Sequence, residues 1–424
     1  MVASLPADFP APIVIAQHLD PRRPSHLPEI LERHANMPIR IVEEGTAIEA
    51  GAIYVVPSNR LVEISNGRLH VRPARAGKVA PSVDLLLESA AKTYGAGLIA
   101  VILTGTGTDG STGAWQVKEH GGAVVIENPA TAMFPSMPQS ISPSLVDASA
   151  DLASIGGVIR DLLSAGSAPL EGSDQSDLNR LLERIRERSG IDFGTYKPAT
   201  IGRRLRGRMI ATSQTSIAAY ADLIERDPGE YGRLVSNLLI KVTQFFRDAK
   251  VFQHLRARVL PDLIDLARTD GRELRLWSAG CSTGEEAYSL AIVLAEALGD
   301  EPLPARIFAT DVDQAAIAFA RRGVYPPGAL KGVPAALRSR HFQKTPDGFV
   351  VAKRLRGMMI FGEHDLGARA AFPRIDLILC RNVLIYFTPP MQRGALENFA
   401  YSLRAGGRLV LGPSETVAAM SEPY

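Results

Sequence analysis

Residues 280–284 read Gly-Cys-Ser-Thr-Gly, between the apolar run LRLWSA and the pair Glu285-Glu286. The spacing G-x-S-x-G is that of a strand-to-helix elbow presenting a nucleophilic serine, here Ser282. It is equally a glycine loop, opening at Gly280, that lets a nucleotide-like cofactor approach the backbone. The two carboxylates argue against the first chemistry, because they would repel the charge that develops on a tetrahedral intermediate. A sulfonium cation, or ribose hydroxyls in need of acceptors, suits an acidic rim. Asp311 closes the next apolar run, ARIFATDVD, where a Rossmann-type sheet offers a carboxylate to ribose. Its plainer alternative is a helix N-cap. Asp311 lies further from Gly280 than the roughly 20 residues of the dinucleotide fingerprint, and no G-x-G-x-x-G is present, so NAD fits poorly.

Three more residues could do chemistry. Arg247, in TQFFRD, carries a guanidinium fork able to orient a carboxylate, unless it is spent on its neighbour Asp248. His18 ends the run APIVIAQH, and Asp109 sits in the glycine loop that ends VILTGTGTDG. Both therefore fall at the carboxyl edge of a parallel sheet, where a histidine and an aspartate can act as a pair, although His18 taken alone reads as a capped core histidine.

The elements that must position these groups follow from the rest of the chain. With 424 residues, 46% hydrophobic and 22% charged, it is long enough for two or three domains of about 150 residues. Lys plus Arg number 47 against 45 Asp plus Glu, a balance that gives no reason to expect a nucleic-acid or membrane partner. Cys281 and Cys380 are the two cysteines, with no metal-ligand spacing, so the reading is a reducing cytoplasm and no metal. No apolar run of membrane length and no signal peptide appear.

Short apolar runs alternating with helical spacing predict an α/β N-terminal domain with parallel strands over 1–163. GAIYVVPSNRLVEISNGRLHVRP reads as strands joined by an Asn-Gly turn. Residues 164–177 are rich in Ser, Gly and Asp and read as a linker. Helical patterning covers 178–268. Strand candidates at 274–278, 305–309, 358–361, 375–380 and 408–412, separated by helical stretches, predict a doubly wound α/β domain over 269–424.

The motifs LLIKVTQFFRD, LWSAGCSTGEEAYSLA, IFATDVD, LILCRNVLIYF and GGRLVLGPSET, in this order, resemble the chemotaxis-receptor glutamate methyltransferases, the CheR family, over roughly residues 180–424. The resemblance implies S-adenosylmethionine as cofactor and glutamates on the cytoplasmic helices of chemoreceptors as substrate. It also implies that Thr243 and Arg247 line the cofactor, that Glu285 and Asp311 bind it from the sheet, and that Asn382 and Val383 contact it beyond the fourth strand. Lys241 stands where the family commonly has Asn. Tyr386 and Phe387 read as a core aromatic pair, with the pocket wall as the alternative. The run Arg203, Arg204, Arg206 and Arg208, with Lys197 nearby, reads as a solvated face or as a dock for an acidic receptor helix.

Residues 1 to about 160 resemble a second enzyme of the same pathway, the CheB receptor methylesterase. The motifs are LPADFPAPIVIAQHLDP, AGAIYVVPSNR, VILTGTGTDGSTGA and ENPATAMFPSMPQSI. The resemblance assigns His18 and Asp109 to a Ser-His-Asp triad whose serine lies upstream of the matching stretch. Ser4 has no glycine elbow, and Ser111 is the next candidate. This half is therefore expected to be inactive toward methyl esters, with a gap beside His18. The whole is expected to be part of a longer signalling protein.

Overall fold

The computed structural model describes residues 1–18, 25–73, 80–167, 173–195, 198–212, 214–239, 243–299, 303–345, 348–367 and 372–417. It forms two compact units: residues 1–141, 145–171 and 202–220, and residues 142–144, 172–201 and 221–424. Lys197 and Lys241 lie outside the described residues. Among the described residues no helix is long and apolar enough to cross a membrane.

In the first unit the apolar runs become short parallel strands. Ile13–Ile15 and Ile39–Ile41 flank Ile53–Val55. Ile99–Ile102, Ala123–Glu127 and Ala148–Ala150 form a second parallel trio in that order. Ala123–Glu127 is buried throughout, which is why it reads as a continuous apolar run rather than an alternating one. Both trios feed one core that includes Ile53, Val55, Val125 and Ala148, with Ile13 and Ile99 packed against it. Ile13–Ile15 and Ile99–Ile102 are each the end strand of their trio. The Asn-Gly turn forms as expected between Arg60–Ser65 and Arg68–Pro73, with Asn66 and Gly67 at φ 48° and 68°.

The segment read as a linker is helical up to Ser167 and again from Ser173. Residues 168–172 lie outside the described ones. The arginine run needs a correction. In the helix Pro198–Ala211, Arg204 is buried at 7% exposure, and Arg206 and Arg208 are half-buried. A Cβ on Gly207 of this helix would come 3.3 Å from the carbonyl of Asp147. The helix is packed at these three arginines, where a solvated face or a docking surface was expected, because Ile201, Leu205 and Met209 beside them are buried; the side chain of Arg203 lies outside the described residues.

In the second unit five strands form one parallel sheet in the order Met359–Glu363, Ala305–Asp311, Leu274–Ala279, Ile375–Cys380 and Leu403–Leu411. The chain winds outward to both sides of Leu274–Ala279, so the carboxyl ends of that strand and of Ile375–Cys380 border the crevice where such sheets bind ligands. The helices Ala249–His254 and Leu260–Thr269 were grouped by periodicity with the helical segment. They share a core with the sheet instead, through Phe252, Leu260, Leu263 and Ile264 against Leu274 and Leu276. A small antiparallel sheet of Val324–Tyr325, Phe342–Thr345 and Gly348–Val351 stands where only helix was expected.

Candidate functional site

Leu274–Ala279 is almost wholly buried and ends in Gly280 at φ 72°. A Cβ there would lie 2.5 Å from Val383 Cγ2, so glycine is required both for the turn and for the close approach. The loop is pinned to the neighbouring strand: Gly280 and Cys281 donate their N–H groups to the Thr310 carbonyl at 2.8 and 2.9 Å. Ser282, at φ 48°, donates its N–H to Asp311 Oδ2 at 2.8 Å, while Asp311 Oδ1 accepts from the Asp313 N–H at 3.0 Å. The helix N-cap is Asp313, which leaves the carboxylate of Asp311 to shape the loop.

Helix Glu285–Leu298 starts directly after Gly284. Its two acidic residues part company there, since successive side chains on a helix point about 100° apart. Glu285, expected at the cofactor, turns inward, is buried, and accepts from Thr283 Oγ1 at 2.7 Å. Burial raises its carboxyl to about 7. Glu286 takes the place expected of it and lines the open cleft. Burial also raises Glu286 to about 7, against the downward pull of Arg381 and Arg247.

The cleft encloses about 870 Å³, part of it open to solvent, and brings Thr243, Arg247, Gly280, Asp311, Asn382 and Val383 onto one lining. Tyr386 and Phe387 line it as well, so the pair read as core forms a wall. Sequence reasoning missed Arg381. Its side chain is fully buried and donates to the Arg247 carbonyl at 2.9 Å, to Glu286 Oε2 at 2.8 Å, and to Asp248 Oδ2. The available signal was a charged residue directly after the apolar strand Ile375–Cys380, where an arginine needs acidic partners. Asp248 is thus held by Arg381. The TQFFRD stretch is fixed from its other side by Phe245, which packs edge-on to Tyr325 at 4.9 Å, and by the Phe246 N–H, which donates to Ser289 Oγ at 2.9 Å.

Two buried polar atoms on this lining, Ser282 Oγ and Asn382 Oδ1, have no hydrogen-bond partner among the described residues. No histidine is therefore bonded to Ser282, which removes the elbow reading of the glycine loop. Unpaired buried acceptors beside Glu286 and Asp311 fit a ligand that carries hydroxyl donors and positive charge.

Comparison with known proteins accords with this chemistry. Residues 241–424 match the CheR methyltransferase SAM-binding domain, residues 176–239 the CheR all-alpha domain, and residues 1–159 the CheB methylesterase. A chemotaxis protein methyltransferase 2 of Pseudomonas aeruginosa is 36% identical over 57% of this chain and 86% of its own length. The chain belongs to the chemotaxis protein methyltransferase family. It carries a CheB-type domain and CheR-type domains together. An uncharacterized 104.1 kDa protein of Rhodobacter capsulatus is 31% identical over 93% of this chain, which spans 44% of that protein's length. The Thermotoga maritima CheB methylesterase catalytic domain is 32% identical, covering 38% of this chain and 89% of its own, with a TM-score of 0.36. The cofactor of this CheR-type domain is S-adenosylmethionine, and all of the cleft lining but Ile191 and Leu239 falls within the family's binding domain.

The CheB-type unit has its own cluster. His18 Nε2 lies 2.8 Å from Asp109 Oδ2. Asp109 also accepts the N–H of Val83 at 2.7 Å and of Asp84 at 2.9 Å, at the start of helix Val83–Tyr94. Asp84 returns the arrangement, accepting from Gly110 at 2.9 Å and Gly113 at 2.7 Å where helix Ser111–Glu119 begins. The two helices thus cap one another. Burial raises the Asp109 carboxyl, but the bonds from His18 and from the Asp84 and Val83 amides outweigh it and hold the group below its ordinary value. The bond to Asp109 raises His18 above its own. Ser111 is buried and donates to the Thr108 carbonyl at 2.7 Å, and Ser4 donates to the Met1 carbonyl at 2.7 Å.

Proposed function

We propose that this chain transfers a methyl group from S-adenosylmethionine to glutamate side chains on the cytoplasmic helices of chemoreceptors. The observation that carries the reading is the meeting of Arg247, Glu286, Asp311 and the unpaired Ser282 and Asn382 atoms on one cleft at the sheet's switch point. When bound, the cofactor supplies a methyl carbon made electrophilic by its sulfonium. The acceptor carboxylate is already ionised near neutral pH, so no general base and no metal is required. The protein's task is to hold that carboxylate about 3 Å from the methyl carbon and strip its water. Arg247 orients the carboxylate through its paired donors. Asp311, Ser282 and Asn382 offer acceptors to cofactor hydroxyl and amino groups, with Glu286 as the acidic wall. Thr243, Gly280 and Val383 shape the contact surface.

The relatives' names carry the chemotaxis assignment, and no nucleic acid enters this reading. We further infer that residues 1–163 do not hydrolyse glutamyl methyl esters in this chain, because the hydroxyls of Ser4 and Ser111 are bonded to backbone carbonyls and not to His18. Incubation with methyl-labelled cofactor and receptor cytoplasmic fragments should place alkali-labile label on the fragments, and preformed methyl esters should release no methanol. Cofactor binding without transfer would reduce the chain to a signalling scaffold. Methanol release abolished by His18→Ala would overturn the second claim.

A further inference from the structure

The motif GGRLVLGPSET runs from within the last strand, Leu403–Leu411, into the turn after it, and the pocket chemistry above leaves its acidic residue, Glu415, without a task. Glu415 Oε1 accepts the N–H groups of Val383 and Leu384 at 2.8 Å each. Its Oε2 accepts those of Asn382 at 2.9 Å and Gly412 at 2.6 Å. Three consecutive amides, opening the single turn Leu384–Tyr386, thus converge on one carboxylate. Only an ionised carboxyl accepts at both oxygens without presenting a proton of its own.

This anchor lies directly behind the cofactor-facing wall. Asn382 sits in the left-handed region at φ 58°, a conformation that persists in a non-glycine residue when its surroundings hold it. A Cβ on Gly412 would come 2.6 Å from Glu415 Oε2 and 3.2 Å from the Asn382 nitrogen, so the turn that delivers Glu415 is built for glycine. Asn382 and Val383 both line the cleft, and Val383 is the residue against which Gly280 closes.

We propose that Glu415 is a positioning residue of the cofactor site, holding the Asn382–Leu384 backbone so that Asn382 and Val383 face S-adenosylmethionine. The proposal rests on the cleft being the cofactor site. In Glu415→Gln an amino group replaces one oxygen and confronts amide donors, so the full chain should bind S-adenosylmethionine about tenfold more weakly by calorimetry. Glu415→Asp keeps the charge, shortens the reach, and should fold with a smaller loss of affinity. Asp376→Asn is the control: Asp376 is buried near the start of Ile375–Cys380, the strand that leads into Asn382, where it accepts from Arg272 at 2.8 Å and from the Arg275 N–H at 2.9 Å. It should lower the thermal midpoint while leaving the dissociation constant within twofold of wild type. Unchanged affinity in both Glu415 variants, or an equal loss in Asp376→Asn, overturns the role of Glu415 alone. Failure of the wild-type chain to bind S-adenosylmethionine overturns the cofactor reading and this inference with it.

Discussion

The His18–Asp109 cluster and the cleft beside Gly280 both sit at carboxyl ends of parallel strands, yet their polar groups are used in opposite ways. Around Asp109 the polar atoms are spent on one another: the carboxylate holds a histidine and two helix amides, and Asp84 does the same for the neighbouring helix. Around Gly280 the backbone takes left-handed turns at Gly280, Ser282, Gly284 and Asn382, and Ser282 and Asn382 keep buried atoms unpaired. A closed network stabilises its own fold, whereas an open one keeps capacity for a ligand.

The comparison breaks most visibly at Asp311. Replacing it by alanine removes the acceptor of the Ser282 amide and the acidic edge of the cleft, and should weaken S-adenosylmethionine binding by about a hundredfold in calorimetry. Binding within threefold of wild type would mean that the loop holds its shape without Asp311.

A smaller effect distinguishes the two regions by pH. Burial raises Glu285 from 4.5 to about 7, so the folded chain holds a proton that the unfolded chain releases. Stability must then fall as pH rises from about 4.5 through about 7. Glu285→Gln keeps an acceptor for Thr283 without the charge. Its thermal midpoint, followed on the transition that the cofactor shifts, should exceed that of wild type by a few degrees at pH 8 and converge with it below about pH 5. A constant difference across this range would show that the Glu285 charge is not what matters.

The smallest effect is expected in the closed network. Asp109→Asn weakens the pairing with His18 and the cap on Val83–Tyr94, and should lower the midpoint of the CheB-type unit by about two to four degrees. Methyl transfer should not change. A loss of transfer would show that the CheB-type unit takes part in the methyltransferase reaction.

The turn at Asn66-Gly67, the five sheet strands and the residues bordering the glycine loop were legible in the sequence because each depends on neighbours along the chain. Turn chemistry, apolar runs and glycine placement are local signals. The pairing of His18 with Asp109 was legible through the family resemblance, since each follows a strand of a different parallel trio and His18 alone reads as a core histidine. The choice between Glu285 and Glu286 was not, since both open the same helix and only its docking against the sheet turns one inward. Arg204 looked like a solvated face until its helix was seen packed through the apolar residues between its arginines. Arg381 reaches Arg247, Asp248 and Glu286, and Glu415 reaches Asn382 to Leu384, across spans of roughly 30 to 130 residues. The sequence alone determined the five strands of the large sheet and which edge of that sheet carries the chemistry. Only the tertiary structure decided which charges face the cleft and which hold its walls, because those pairings join residues that no local pattern connects.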